Sequence, residues 1–306
     1  MGNKTVIVIG AVNMDICGRP DREPRMKDSN PGTVSFSPGG VGRNIAHNLC
    51  LLGLNVKFIA AIGDDVYGDS IFESCTKLGM DMHLSRRMSG GRTSSYLYVT
   101  DENGDMLVGV SDTDISASIT PEYLKAHIKE INEADAVVID ANLTRETVAW
   151  IAENVTAPRS SQIQRTRYSE KLSAAKAERL RPALGRLTAF KPNEYEAMSM
   201  TGESTSLFAA EALLREGVKQ VFVSLGDDGI VAASDGEIIK LPCVTTEIAN
   251  CTGCGDNLGR SQRTWHCRKR IGCHEGRRNV RRLLRNDKPR AVPGTYKLIR
   301  KNSALY

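Results

Sequence analysis

Aromatic side chains are scarce in this sequence, only 5% of it being Phe, Trp or Tyr, which argues against a protein that grips nucleic acid by stacking bases. Its eight cysteines are scattered and no two C-x-x-C units occur, so neither a disulfide scaffold nor a zinc ribbon is expected. No apolar run approaches the length of a membrane span. Lys4-Thr5-Val6-Ile7-Val8-Ile9-Gly10 reads as a buried strand and is too short for a signal peptide. A cytoplasmic protein without a membrane partner is therefore expected. A G-x-x-x-x-G-K-[ST] loop is missing, which excludes a P-loop kinase, and no G-x-G-x-x-G turn follows a strand.

What is present is a chain of 306 residues, 41% apolar and 25% charged, long enough for one large or two ordinary domains with a full core. Its formal charge of +5 hides a split. Residues 259–306 hold 15 Lys and Arg against Glu275 and Asp287, a net of +13, while the preceding 258 residues carry −8. Such a break in composition calls for an explanation.

Short apolar runs alternate with helical stretches, the pattern of a mostly parallel sheet covered by helices. Strands are expected at Val6–Ile9, Val56–Ile62, Ala136–Ile139 and Val221–Leu225. Helices are expected at Asn44–Leu52, Gly68–Leu78, Pro121–Asn132, Arg145–Asn154 and Leu207–Glu216. Thr33–Phe36, Ser94–Thr100 and Met106–Val110 read as strands without intervening helices. The last two are joined through Asn103-Gly104, a strong hairpin signal. They form either a small separate sheet acting as a lid or an antiparallel extension of the main sheet.

Chemistry concentrates in a few places. In Asn250-Cys251-Thr252-Gly253-Cys254-Gly255-Asp256, small residues allow several N–H groups to converge on an anion beside the Asp256 carboxylate. A carboxylate there suits a base for an attacking hydroxyl, and a glycine-rich turn with an N-capping Asp is the equal alternative. A second cluster, Ser37-Pro38-Gly39-Gly40-Val41-Gly42-Arg43-Asn44, permits close backbone approach to a ligand. Asn13-Met14-Asp15 follows the first strand and can grip sugar hydroxyls. Asn193 and Glu196 make an N-x-x-E suited to hydrated Mg²⁺. Ser224, Gly226 and Gly229 belong to a turn fit for nucleotide contact. Each of these taken singly is more often a turn or cap than a site. The bland reading is also preferred for His47, His83 and His127, as surface or helix-face residues without partners, and for Cys17, Cys50, Cys75 and Cys243, as core fillers.

Taken in this order, the clusters resemble the ribokinase-like (PfkB-type) carbohydrate kinases. The two signatures are Gly39–Asn44 and Thr252–Asp256, with Asn193 and Glu196 between them. Within the family, Asn13-Met14-Asp15, the stretch from Asp28 to Gly53, Thr93-Ser94-Ser95-Tyr96-Leu97 and Asn250 are most similar to the branch that acts on pseudouridine. The resemblance implies a three-layer αβα sandwich over residues 1–258, with lid strands at about 12–36 and 92–111 through which a homodimer forms. It implies transfer of the ATP γ-phosphoryl group, with Mg²⁺, to the 5′-hydroxyl of pseudouridine or a related nucleoside, with another nucleoside or a sugar as the alternative acceptor within the family. Asp256 would take the hydroxyl proton, and the N–H groups of Gly253, Cys254 and Gly255 would hold the developing charge. Asn13, Asp15, Gly39, Gly40 and Asn44 would hold the ribose, with Arg43 and the lid near the base. Thr252, Asn193, Ser224, Gly226 and Gly229 would contact ATP, and Glu196 the metal.

Two segments depart from this resemblance abruptly. Where the family has an apolar strand ending in Asp-Pro, this chain reads Arg159-Ser160-Ser161-Gln162-Ile163-Gln164-Arg165, and after Asp256 it lacks the expected apolar helix. Back-translated and read two bases later, Pro158–Gln164 can encode an apolar strand ending in Ala-Asp-Pro. A one-base shift after Arg263 allows small apolar residues. We therefore expect a changed reading frame across residues 159–175 and from about 257. A chain carrying both changes would lose a core strand and a helix face, and is expected to fold poorly and be inactive. The rival of another class takes the tail at face value, with Arg277-Arg278-Asn279-Val280-Arg281-Arg282 as a nucleic-acid arm. The frame change accounts for that charge without a nucleic-acid partner. A metal site from His266, Cys267, Cys273 and His274 fits no common spacing.

Overall fold

The computed structural model describes residues 4–102, 104–156, 162–164, 177–234, 237–242 and 296–298, in two compact units, residues 1–159 and 160–306. The first unit runs β1 (Thr5–Ile9), β2 (Asn13–Pro20), β3 (Gly32–Gly39), α1 (Val41–Leu51), β4 (Asn55–Ile59), β5 (Ala61–Gly63), α2 (Val66–Lys77), β6 (Met80–Asp81), β7 (Arg86–Met88), β8 (Ser95–Thr100), β9 (Met106–Asp112), α3 (Pro121–Ala126), α4 (Ile128–Glu133), β10 (Ala136–Asp140) and α5 (Arg145–Asn154).

Its main sheet is parallel, in the order β10-β1-β4-β6. After Thr5, β1 is wholly apolar because both of its faces are covered. Val6 and Val8 pack with Val56, Phe58 and Val138 against Ile45 and Ala46 of α1 and Ile71 and Cys75 of α2. Ile7 and Ile9 point the other way and are completely buried. Burial of this kind stabilises by roughly 1.5–3 kcal/mol per large apolar side chain.

The expected strand Val56–Ile62 divides at Ala60. There Ser85 Oγ accepts the Ala60 N–H at 3.1 Å, while Arg86 N–H donates to the Ala60 carbonyl at 2.8 Å. The chain thus leaves the main sheet, and β5 pairs with β7 instead. The expected helix Pro121–Asn132 is broken at His127, whose ring lies edge-on to Tyr123 at 5.0 Å. α5 begins and ends where expected, because Thr144 caps it by accepting the Thr147 N–H. Two histidines differ from expectation: His47 is buried in α1, and His83 pairs with Asp81 at 2.7 Å and Glu130 at 3.0 Å.

Of the two arrangements open for the helix-free strands, the structure has the separate sheet, four strands in the order β3-β2-β8-β9. The β8–β9 turn closes with Asp101 N–H on the Asp105 carbonyl at 2.8 Å and Gly104 at φ 94°. Thr93 ties the root of β8 to the body: its hydroxyl accepts the Gly63 N–H at 2.9 Å and donates to Asp65 at 2.6 Å. Asp65 also caps α2 through the Gly68 N–H. Burial opposes ionisation of Asp65, but the hydrogen bonds from Thr93, Gly68 and Tyr67 outweigh it and hold the carboxyl below 3.8.

The second unit comprises β11 (Gln162–Gln164), β12 (Ala189–Lys191), α6 (Glu194–Thr201), α7 (Ser206–Arg215), β13 (Gln220–Ser224), β14 (Ile230–Ser234), β15 (Glu237–Leu241) and β16 (Tyr296–Leu298). β11, β12 and β13 pair in parallel, and β13 to β16 antiparallel. Phe190, Val221, Val223, Val231, Ala209, Ala210 and Leu213 are among its buried residues. Two short strands lie in segments where the sequence gives no expectation of structure. Gln162–Gln164 pairs beside β12 despite its polar composition, because a parallel ladder needs only backbone N–H and C=O groups. Tyr296–Leu298, from the basic tail, pairs with β15.

Candidate active site

The residues expected to hold an acceptor sugar meet where β1 ends, at the shared root of β2, β3 and α1. β2 and β3 are paired with Asn13 opposite Gly39 and Asp15 opposite Ser37. The Asn13 amide donates to Asp15 Oδ1. A Cβ on Gly39 would lie 2.2 Å from Asp15 Oδ2, so only glycine lets the carboxylate sit against this turn. Gly40, at φ 98°, opens α1 without a side-chain cap, and a Cβ there would meet the Ala11 carbonyl oxygen at 2.7 Å.

Arg43 and Asn44 occupy the first turn of α1, with Arg43 Nη1 donating to Asn44 Oδ1 at 3.2 Å. Arg43 Nε is buried and has no partner among the described residues. Burial raises the Asp15 carboxyl from 3.8 to about 6, against the Asn13 hydrogen bond and the positive Arg43. Arg43 also reaches the buried Cys75 thiol, whose pKa burial nonetheless raises. The sequence-derived set Asn13, Asp15, Gly39, Gly40, Arg43 and Asn44 is thus gathered in one place.

One member of this site went unnoticed in the sequence. Asp140 ends β10 and is fully buried. Its Oδ2 accepts the N–H groups of Ala11 at 2.8 Å and Gly42 at 3.0 Å, and its Oδ1 that of Asn142 at 2.8 Å. It clamps the end of β1 to the start of α1, and a Cβ on Gly10 would strike it at 2.5 Å. The available signal was an acid closing a buried parallel strand, where ligand sites of open α/β sheets gather.

In the second unit Asn193 and Ser224 form a bridge between neighbouring chain ends, and Ser224 N–H donates to the Pro192 carbonyl at 3.1 Å. Gly226, at φ 63°, and Gly229, at φ 94°, make the tight turn after β13, closed by Leu225 N–H on the Gly229 carbonyl at 2.9 Å. Buried Lys191 also reaches Ser224 Oγ, at 3.4 Å. Asn193 and Glu196 form a reciprocal capping box on α6, each side chain accepting the other's N–H at 2.9 Å. The structure therefore brings Asn193, Ser224, Gly226 and Gly229 together and gives Glu196 a helix-capping contact. Among the described residues no cluster of three metal-ligating side chains occurs, and no helix is long and apolar enough to cross a membrane. Thr252, Gly253, Cys254, Gly255, Asp256, Cys243 and the His266–His274 cluster lie outside the described residues.

With this geometry in view, comparison with known proteins defines the class. The pattern of the pfkB family of carbohydrate kinases matches residues 3–258, and the chain belongs to that family. It is thus a phosphotransferase with an alcohol group as acceptor, on the ribokinase-like α/β fold. It is 35% identical over 259 residues to the pseudouridine kinase of Escherichia coli strain K12, covering 83% of this chain and 80% of that protein. It is 27% identical to the ribokinase of Bacillus subtilis strain 168, covering 83% of each. Its structure is similar to that of a carbohydrate kinase from Agrobacterium tumefaciens, with a TM-score of 0.71 and 29% identity over 84% of this chain and 81% of that one.

Proposed function

We propose that the protein phosphorylates the 5′-hydroxyl of pseudouridine with ATP, giving pseudouridine 5′-phosphate and ADP. The observation that carries this reading is the Asn13–Asp15 pair boxed against Gly39, an acceptor-rich recess suited to ribose hydroxyls. The 35% identity to a pseudouridine kinase supports the choice of nucleoside. The hydroxyl oxygen forms a bond to the γ-phosphorus as the bond to the β–γ bridging oxygen breaks. Asp256 accepts the hydroxyl proton. The N–H groups of Gly253, Cys254 and Gly255 face the charge that builds on the phosphoryl oxygens, and Thr252 contacts the nucleotide.

Asn193, Ser224, Gly226 and Gly229 hold ATP. Glu196, whose Oε2 accepts the Asn193 N–H, would reach Mg²⁺ only through the ion's own waters, and the bound ion would neutralise phosphate charge. The lid sheet encloses the acceptor, and its outward aliphatic face joins two copies into a homodimer.

The test compares pseudouridine, uridine, adenosine and ribose as acceptors, following ATP-dependent product by mass. Pseudouridine is expected to give the highest kcat/KM by at least about tenfold, and Asp256→Asn to lower kcat by about 100-fold or more. A preference for ribose or adenosine would overturn the substrate, and full activity of Asp256→Asn would overturn the base.

A further inference from the structure

Two chain segments supply every residue proposed to hold the acceptor sugar. Asn13 and Asp15 lie on one, and Gly39, Gly40, Arg43 and Asn44 on the other. The segments cross at Gly10 and Gly42. A Cβ on Gly42 would lie 2.9 Å from the Gly10 Cα, and a Cβ on Gly10 would lie 3.1 Å from the Gly42 Cα. Glycine on both sides therefore lets backbone meet backbone.

Asp140 sits at this crossing. β10 runs parallel to β1 with Ile139 level with Ile9, so the next residue of β10 reaches the point where the first segment leaves the sheet. Its Oδ2 accepts from both segments at once, from Ala11 N–H at 2.8 Å and Gly42 N–H at 3.0 Å. Its Oδ1 accepts the Asn142 N–H at 2.8 Å, which fixes the direction of the carboxylate. A further tie joins the same segments, the Arg43 N–H donating to the Ala11 carbonyl at 3.2 Å. That bond is longer and joins two neutral backbone groups, so the carboxylate is the stronger tie.

The start of α1 shows why an acid is needed here. Its first turn contains none, and Gly40 gives it no side-chain cap. The Gly42 N–H and the positive end of the helix are instead met by a carboxylate 98 residues away in sequence. Asp140 is completely buried, and it acts on the site through the backbone that it holds.

We infer that Asp140 is a positioning residue for the acceptor: through Ala11 and Gly42 it fixes the spacing between Asn13–Asp15 and Gly40–Asn44 that admits the sugar. This rests on the reading of those residues as the acceptor site. Asn13 is two residues from Ala11, and Arg43 and Asn44 follow Gly42 directly, so slack at Oδ2 is passed straight to the groups that meet the sugar. The residues proposed for ATP belong to the second unit. Loss of Asp140 therefore weakens the acceptor and spares the nucleotide.

The test is calorimetric binding to the full chain of pseudouridine, uridine, adenosine and ribose without ATP, and of ATP alone. Asp140→Ala removes both oxygens, whereas Asp140→Asn keeps an uncharged oxygen for Ala11 and Gly42. Val148→Ala, on the buried face of α5, is the control for core damage alone. For the acceptor that wild type binds most tightly, Asp140→Ala is expected to lose at least about tenfold, as for a charged hydrogen bond. Asp140→Asn should lose about three- to fivefold, since its neutral oxygen accepts more weakly. ATP affinity should stay within about twofold in both, and Val148→Ala should bind the acceptor as wild type does. Unchanged acceptor affinity in Asp140→Ala, or an equal loss for ATP or in Val148→Ala, overturns the positioning role. Should Asp140→Ala fail to fold, the intermediate loss in Asp140→Asn with ATP affinity intact carries the test, and wild-type acceptor affinity there overturns the role. Failure of the acceptor-site reading shows separately, as a wild type that binds none of the four acceptors, and the positioning role falls with it.

Discussion

Asp15 shows how one half-buried acid connects the chemistry of the proposed site to the stability of the fold. Burial lifts its carboxyl to about 6, with Asn13 and Arg43 acting in the opposite direction. In the unfolded chain it ionises near 3.8. Between those values the folded chain holds the extra proton, so this group's contribution lowers stability as pH rises through that window. In the proposed role of Asp15, acceptor binding would have the opposite sign, because only the ionised carboxylate accepts from two hydroxyls. KM for the acceptor is therefore expected to climb below pH 6, approaching about tenfold per unit. Asp15→Asn should raise KM by more than about tenfold, the worth of a charged hydrogen bond, and flatten this profile. Initial rates between pH 5 and 8 check both, and an unaltered acid limb in Asp15→Asn would remove Asp15 from that role.

At the scale of elements, the four-stranded sheet proposed as a lid is the part of the fold with a surface left over. Val34, Leu97, Val108 and Val110 are each more than 40% exposed on one face, and an apolar patch of this kind marks an interaction site. If two copies meet there, Val34→Asp with Val110→Asp should convert a dimer to a monomer in sedimentation velocity, while an unchanged sedimentation coefficient would place the interface elsewhere. The lid strands were legible because Asn103-Gly104 and the helix-free spacing are local signals. α5 was legible because Thr144 and the apolar period state both its start and its buried face. The departure of the chain from the main sheet at Ala60 was not, since it depends on Ser85, 25 residues away. Asp140 was missed for a similar reason: its partners Ala11 and Gly42 are 129 and 98 residues distant, and no local pattern announces them.

At the scale of the molecule, the family match ends at residue 258, where the charge changes from a net of −8 to a tail of +13. Restoring the reading frame across 159–175 and beyond 257 is expected to raise both the thermal midpoint and kcat, measured by calorimetry and by the acceptor assay. Equal values in the two chains would show that the divergent segments serve the fold as they stand. The short strand Tyr296–Leu298 beside β15 is what such a result would rest on. Within the first unit, the first rung of the β2–β3 pair is Asn13 opposite Gly39, the same two residues that shape the proposed sugar recess. In mechanical terms the four-stranded sheet is a lever whose fulcrum would be the proposed sugar site: any swing of its aliphatic tip would be delivered, much reduced, to Asn13 and Gly39, and a sugar held firmly there would stiffen the whole arm.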